Sequence, residues 1–276
     1  MKFKYSKTVF AGLILSISSF ANAGLMVTQN DTAGDLVSNI LGGGITSSNI
    51  SNSGAANAFG TFTGGLSAGI GIDSGIMLST GNVNDAIGPN STGDTQTNFG
   101  TPGDANLTAL SGDPTFDAAF LTFDFISDGG NVFFNYVFAS EEYNEFVNSN
   151  VNDVFAFFLD GVNVALIPGT NTPVSIDTVN LGINSGLFND NDGGSFDIEY
   201  DGFTDVFTAS VLGLSAGTHT ISMGIADGGD GVWDSTVFIQ ASSFTDNVTV
   251  TVPEPSTLAI FALGIMGLAS RRFKKQ

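Results

Sequence analysis

The residues in this chain best suited to chemistry are carboxylates, and they come in tight groups. Asp227-Gly-Gly-Asp230-Gly-Val-Trp-Asp234 places three Asp in one short run with Gly between them. A loop of that kind can fold its oxygens around a hard cation, and Ca²⁺ accepts roughly 6–8 oxygens in irregular geometry. The same spacing suits an Asp-Gly hairpin whose carboxylates cap turns. Ser140-Glu141-Glu142-Tyr143-Asn144-Glu145 is the second group. Ser140 can cap a short helix with Glu141 and Glu142 in its first turn, where the helix dipole favours negative charge. In the alternative, the carboxylates turn inward onto a metal. Glu141 and Glu145 lie four apart on one helical face, and like charges so placed repel unless a cation or solvent intervenes. Glu199 and Asp201 form a third group, able to join either of the others in space, and Asp153 completes the candidate ligand set. Asn189-Asp-Asn-Asp192-Gly-Gly194 begins like an EF-hand loop, but Gly occupies the fifth position and no helix follows. A solvated loop is expected there.

Other chemistry is sparse. His219 is the single His, and on an apolar strand face it is expected to be a core residue with a hydrogen-bonded ring. There is no Gly-x-Ser-x-Gly elbow, no His-Glu-x-x-His and no Cys. Paired carboxylates can hydrolyse a glycosidic bond, but only at a separation the sequence does not set, so a glycoside hydrolase is the least favoured reading and no enzyme is expected. Trp233 and Tyr143, if exposed, would stack on sugar and make the chain a carbohydrate-binding module.

The charge pattern excludes several classes outright. All seven basic side chains lie at the termini: Lys2, Lys4, Lys7, Arg271, Arg272, Lys274 and Lys275. Of the 27 acids only Glu254 lies in the tail, so the body faces its carboxylates with His219 alone. It cannot neutralise phosphates, which excludes a nucleic-acid partner, and an anionic membrane surface repels it. Without Cys there are no disulfides or thiolate metal sites. Low charge, 25 Phe and 36 Gly suit an extracellular β protein.

The two ends read as export and retention signals. Lys2, Lys4 and Lys7 precede an apolar stretch from Val9 to Phe20 and then Ala21-Asn-Ala23, so signal peptidase is expected to cleave after Ala23. The C-terminus carries Pro253-Glu254-Pro255-Ser256, an apolar run Thr257–Ala269, and a basic stop of Arg271, Arg272, Lys274 and Lys275. The run is short beside the roughly 20 residues of an ordinary span. The basic cluster keeps the tip cytoplasmic, giving a transient inner-membrane intermediate with an exported body. The three-part tail, residues 252–276, resembles the PEP-CTERM protein-sorting signal. That resemblance implies recognition by an exosortase, cleavage near Pro-Glu-Pro, and release or attachment at the surface of a Gram-negative bacterium that makes exopolysaccharide.

Between the signals, residues 24–250 read as one domain. Thr32-Ala-Gly-Asp35 imitates a capping box, and Leu36, Val37, Ile40 and Leu41 recur at helical spacing up to Gly42, which predicts one short helix. Ile76–Ser79 reads as a strand, and 82–104 as a long loop. Alternation predicts strands over Phe120–Ile126, Val132–Phe138, Thr218–Ile225, Ser235–Ile239 and Val248–Val252, and the apolar run Val154–Leu159 predicts a central strand. The expected fold is all-β: an antiparallel, jelly-roll-like β-sandwich with one or two short helices, plus the N-terminal signal peptide and a C-terminal hydrophobic helix.

The body resembles the choice-of-anchor L domain. The matching pieces run in order: Leu36–Leu41, Gly75–Gly81, Phe116–Phe125, Phe138-Ala-Ser-Glu-Glu-Tyr143, Asn152–Phe158, Glu199–Thr204 and Ala226–Ser235. The resemblance implies an exported domain joined to a C-terminal anchor and assigns no activity. The reading is therefore an exported structural or adhesive protein of the cell surface or extracellular matrix, stabilised by Ca²⁺ at its acidic loops. Its partners are signal peptidase and exosortase during processing, with exopolysaccharide or other surface proteins as later candidates.

Overall fold

Residues that alternate apolar and polar, as Leu121, Phe123 and Phe125 do with Thr122 and Asp124, form strands buried on one face. The computed structural model describes residues 24–246 and makes that segment part of a far longer strand. The expected signal peptide, the strand expected over Val248–Val252 and the sorting tail lie outside the described residues. In chain order the strands are β1 (Met26–Gln29), β2 (Thr46–Ser53), β3 (Phe59–Thr63), β4 (Gly75–Ser79), β5 (Thr115–Ser140), β6 (Val154–Leu159), β7 (Val162–Asn163), β8 (Phe188–Asp190), β9 (Gly202–Thr204), β10 (Phe207–Gly228) and β11 (Ser235–Gln240). Three short helices join them: α1 (Ala33–Ile40), α2 (Gly65–Ala68) and α3 (Ala105–Ser111). All pairings between these strands are antiparallel. The all-β sandwich expectation holds, with three helices among the described residues.

β5 and β10 pair along nearly their whole length as a ribbon. In one half, Thr115–Ile126 lies against Thr218–Gly228, and the sheet extends through β2 on one side and β6 and β7 on the other. In the second half, residues 132–136 of β5 lie against Phe207–Val211, and the sheet extends from the other edge of β5 through β11, β4, β3 and β1. Between the halves the register slips at Val211/Leu214, and Gly129 and Gly130 adopt φ of 95° and 120°, conformations that glycine tolerates cheaply. The ribbon doubles back there, so its halves face each other. Phe134, Tyr136 and Phe138 of β5 meet Phe155 and Phe157 of β6 with ring centroids 4.8 to 5.5 Å apart. Each such pair adds roughly 0.5–1.5 kcal/mol beyond the area it buries.

The segments expected as separate strands, 120–126 and 132–138, are thus one strand crossing both layers. Its second half is buried on both faces. Val137 and Ala139 point away from the main core into a second cluster with Met77, Phe238, Tyr200 and Phe203. α1 forms as the apolar spacing requires, with Leu36, Val37 and Ile40 fully buried. Its capping box does not form: the Thr32 side chain makes no cap, and the Thr32 amide donates instead to Asn30 Oδ1 at 2.9 Å. Residues 82–104 form the expected loop, broken by a 3₁₀ turn at Val83–Ala86.

Candidate functional site

Antiparallel pairing brings distant strand termini to one place. Ser140 at the end of β5 pairs with Ser235 at the start of β11 and with Gly202 at the start of β9. Val154 at the start of β6 pairs with Ala226, and Thr115 with Gly228, both near the end of β10. These termini lie at the open end of the sandwich, opposite the fold in the ribbon. The acids sit at or just beyond them: Glu141 and Glu142 after β5, Asp153 before β6, Asp201 before β9, Asp227 near the end of β10 and Asp234 before β11. None of these six is more than 1% exposed, and Glu199 is 5% exposed. A buried carboxylate must find hydrogen bonds, a proton or a cation, and among residues 8–270 there is no Lys or Arg to pair with it.

Hydrogen bonds from the 82–104 loop meet part of that need. Residues 90–101 form a strap across the open end, held by acids at successive points. Asn90 Nδ2 donates to Asp201 Oδ1 at 2.6 Å. Glu199 accepts from the Ser91 amide at 3.1 Å, the Ser91 hydroxyl at 3.0 Å and the Thr95 hydroxyl at 2.8 Å. Asp234 Oδ2 accepts the Thr97 amide at 2.7 Å. Asp117 accepts the amides of Phe99, Gly100 and Thr101 and the Thr101 hydroxyl. Asp117 and Asp85, which accepts the Thr97 hydroxyl, were not among the residues singled out by spacing. Asp117 sits alone between Phe116 and Ala118, and nothing local marks it as the anchor of a loop 16 residues away.

Other carboxylate oxygens stay unsatisfied. Both oxygens of Glu141, Oδ2 of Asp153, Oδ2 of Asp201, Oδ1 of Asp227 and Oδ1 of Asp234 are buried without a hydrogen-bond partner. The Ser235 hydroxyl beside Asp153 is also unpartnered, because the two do not meet in hydrogen-bond geometry. Burial, then the charges of Asp201, Glu199 and Asp234, pushes the Glu141 carboxyl up to about 10, against the opposing effect of the nearby Thr95 amide, which does not reach it in hydrogen-bond geometry. Burial pushes Glu142 up to about 8 against the opposing effect of the Asp153 amide. It raises Asp234 to about 7 and Asp201 to about 6, while the Thr97 amide and Asn90 hold each back. Asp153 and Asp227 are raised well above the usual carboxylate range, by burial first and then by neighbouring carboxylates. Among the described residues no three His, Cys, Asp or Glu side chains stand in metal-holding geometry as a group.

The remaining candidates fall elsewhere. Glu145 and Asp230 are exposed, and Asp230 caps its own turn by accepting the Val232 amide at 3.2 Å. Ser140 does not start a helix: its hydroxyl accepts the Glu142 amide at 2.9 Å in a tight turn that points both Glu side chains inward. Asn191 is not part of a solvated loop. It is buried and bridges the carbonyls of Ile198 and Tyr200 to the Phe196 amide. His219 is the hydrogen-bonded core residue expected, 8% exposed, with Nδ1 2.6 Å from Asp160 Oδ2 and Nε2 3.0 Å from the Ser215 carbonyl. Tyr143 is fully buried and has no face for a sugar. Trp233 packs edge-on against Phe146 at 4.5 Å. The carboxyls of Glu141 and Glu142 are closed off from a substrate, which removes the basis for glycosidic hydrolysis at this pair.

Comparison with known proteins gives the architecture its place. No curated protein and no solved structure matches the chain. Residues 251–275 match the PEP-CTERM protein-sorting motif, which marks a bacterial protein for export and exosortase sorting to the cell surface. Residues 26–245, nearly the whole described body, match the choice-of-anchor L domain, so the chain belongs to the choice-of-anchor L family.

Proposed function

We propose that the domain is a structural or adhesive, non-enzymatic element of the surface or matrix of a Gram-negative bacterium, stabilised by Ca²⁺ at its open end. On this reading the signal peptide is removed after Ala23. The apolar run 257–269 then holds the protein briefly in the inner membrane, and exosortase acts near Pro253-Glu254-Pro255. The Ca²⁺ reading rests on one observation above all: Glu141 is fully buried among carboxylates with neither oxygen partnered and no base to oppose it. Thermal unfolding with Ca²⁺ and with chelator tests it. Ligand at 100 times its dissociation constant adds about 2.7 kcal/mol, worth roughly 5–10 °C in a domain of this size. Identical midpoints would overturn the reading.

A carbohydrate-binding role draws on a different place. A groove of about 510 Å³ on the outer face of the β5–β10–β6 sheet is lined by Phe120, Phe158, Thr122, Ser222 and Asp160, among others. Half-buried rings beside hydroxyls and a carboxylate suit a neutral glycan. Binding of a neutral glycan chain that is lost in Phe158→Ala would favour this reading over a purely structural one.

A further inference from the structure

Three carboxylates under the strap divide their oxygens in a telling way. Asp234 commits Oδ2 to the Thr97 amide and leaves Oδ1 buried and unpartnered. Asp201 commits Oδ1 to Asn90 and leaves Oδ2 buried and unpartnered. Glu141, which feels the charge of both, has the Thr95 amide nearby but outside hydrogen-bond geometry, so neither of its oxygens is committed. The committed oxygens hold the strap, and hydrogen bonding elsewhere in the fold does not account for the other four. All three side chains are at most 1% exposed, so bulk water does not satisfy them either.

We propose that Glu141, Asp201 Oδ2 and Asp234 Oδ1 are the protein ligands of one Ca²⁺ that lies beneath residues 90–101 and fastens the strap to the strand ends. This rests on the Ca²⁺ reading above and assigns its site. Three carboxylates supply three or four oxygens, and Ca²⁺ fills the rest of its roughly 6–8 positions with water or carbonyls. An all-oxygen donor set favours Ca²⁺ over softer transition metals, and irregular geometry disfavours Mg²⁺. Among the described residues these three do not form a ready-made metal group, so the site requires the side chains to move together on binding. Binding therefore draws Asp201 and Asp234 toward Glu141, and with them the Asn90 end of the strap and its middle at Thr97.

The test uses the full-length protein with Tb³⁺ as the probe, excited through Trp233, the neighbour of Asp234, and Tyr200, which lies near Glu141 and Asp234. Glu141→Gln and Asp201→Asn remove ligands at constant shape, and Asp230→Asn alters an exposed acid of the same loop. Wild type and Asp230→Asn should bind one Tb³⁺ that Ca²⁺ displaces. Both should also show slowed amide exchange at residues 91–101 when Ca²⁺ is added. Glu141→Gln should fold, melt higher than wild type in chelator, and lose at least tenfold in Tb³⁺ affinity together with the exchange response. Asp201→Asn carries the same test should Glu141→Gln fail to fold. If Ca²⁺ stabilises wild type and both ligand variants alike, the Ca²⁺ reading stands and this site assignment falls. If Ca²⁺ leaves wild type unchanged, both fall.

Discussion

Gly81 and Asp234 meet so closely that a β-carbon on Gly81 would overlap the Asp234 carboxylate. Gly81 lies two residues past the end of β4, and Asp234 lies just before β11, the neighbour of β4 in the sheet. The conflict is steric, because Gly81 is not among the glycines with positive φ. Gly81→Ala is therefore expected to push Asp234 off the Thr97 amide and destabilise by about 1–3 kcal/mol, the usual cost of overpacking. Denaturant unfolding measures the loss, and faster exchange of the Thr97 amide would trace it to the strap.

Asp117 holds the other end of the strap from a left-handed backbone position, φ 46°. Asp117→Ala removes a charged acceptor from three amides and one hydroxyl. Hydrogen bonds to charged groups contribute about 1.5–3 kcal/mol each and do not simply add, so a loss of about 3 kcal/mol is expected. Asp117→Asn, which tolerates the same φ, should lose less. Equal losses in the two variants would mean that acceptor charge contributes nothing.

In chelator the acidic end should invert the usual pH dependence of a protein rich in carboxylates. Folding raises Glu141 from 4.5 to about 10 and Asp234 from 3.8 to about 7. A raised carboxyl contributes stability that is full below its unfolded value and is lost as pH rises through its folded value. Chelated protein should therefore melt lower at pH 8 than at pH 5, and Ca²⁺ should restore the midpoint at pH 8. A chelated midpoint that is flat or rises over that range would show these carboxylates ionised and satisfied by other means.

His219 has a smaller effect in the same direction at another place. Its hydrogen bond to Asp160 raises its pKa, helped by the Ser215 carbonyl and opposed by burial. That stability is full below the ordinary value of 6.5 and is lost as pH rises through the folded value. Asp160 is 48% exposed, so solvent screens the pair and the effect on stability is small. Titration of the ring by NMR should show the pKa falling in Asp160→Asn.

The sorting motif has its own test. Replacing Pro253-Glu254-Pro255 with Ala should leave full-length protein in the membrane fraction, whereas the unaltered chain reaches the surface. Equal surface delivery of both would mean that exosortase does not act at this tripeptide.

Much of the sheet was legible because the side chains declare it. Leu121, Phe123 and Phe125 alternate cleanly, and Val154–Leu159 is apolar enough to require burial on both faces. β2, Thr46–Ser53, was not legible: its Ser, Asn and Thr residues carry no apolar stripe, and it exists because β5 offers it a ladder. α3 was missed although Asp104 caps it by accepting the Asn106 and Leu107 amides, since its seven residues have one buried apolar anchor, Leu107. The acidic groups were visible from their spacing, but which of them turn inward was not. Asp230 and Asp234 are four residues apart in one loop, and only the start of β11 distinguishes the buried one from the exposed one. The strap contacts were out of reach because Glu199 and Asp117 act on residues that sequence does not place beside them.

The doubled-back ribbon also sets the end of the domain at which the described chain finishes. The last described residues run beside the fold of the ribbon, where Thr245 bridges Phe133 and Phe244 bridges Leu41. Phe133 stands seven residues from Ser140, about 23 Å along an extended strand. The sorting motif follows within a few residues. The described chain therefore ends at the closed end of the sandwich, a full strand length from the acidic end. Force applied at residue 246 would load the short bridges at Phe133 and Leu41 first, leaving the carboxylate end mechanically remote from the point of pull.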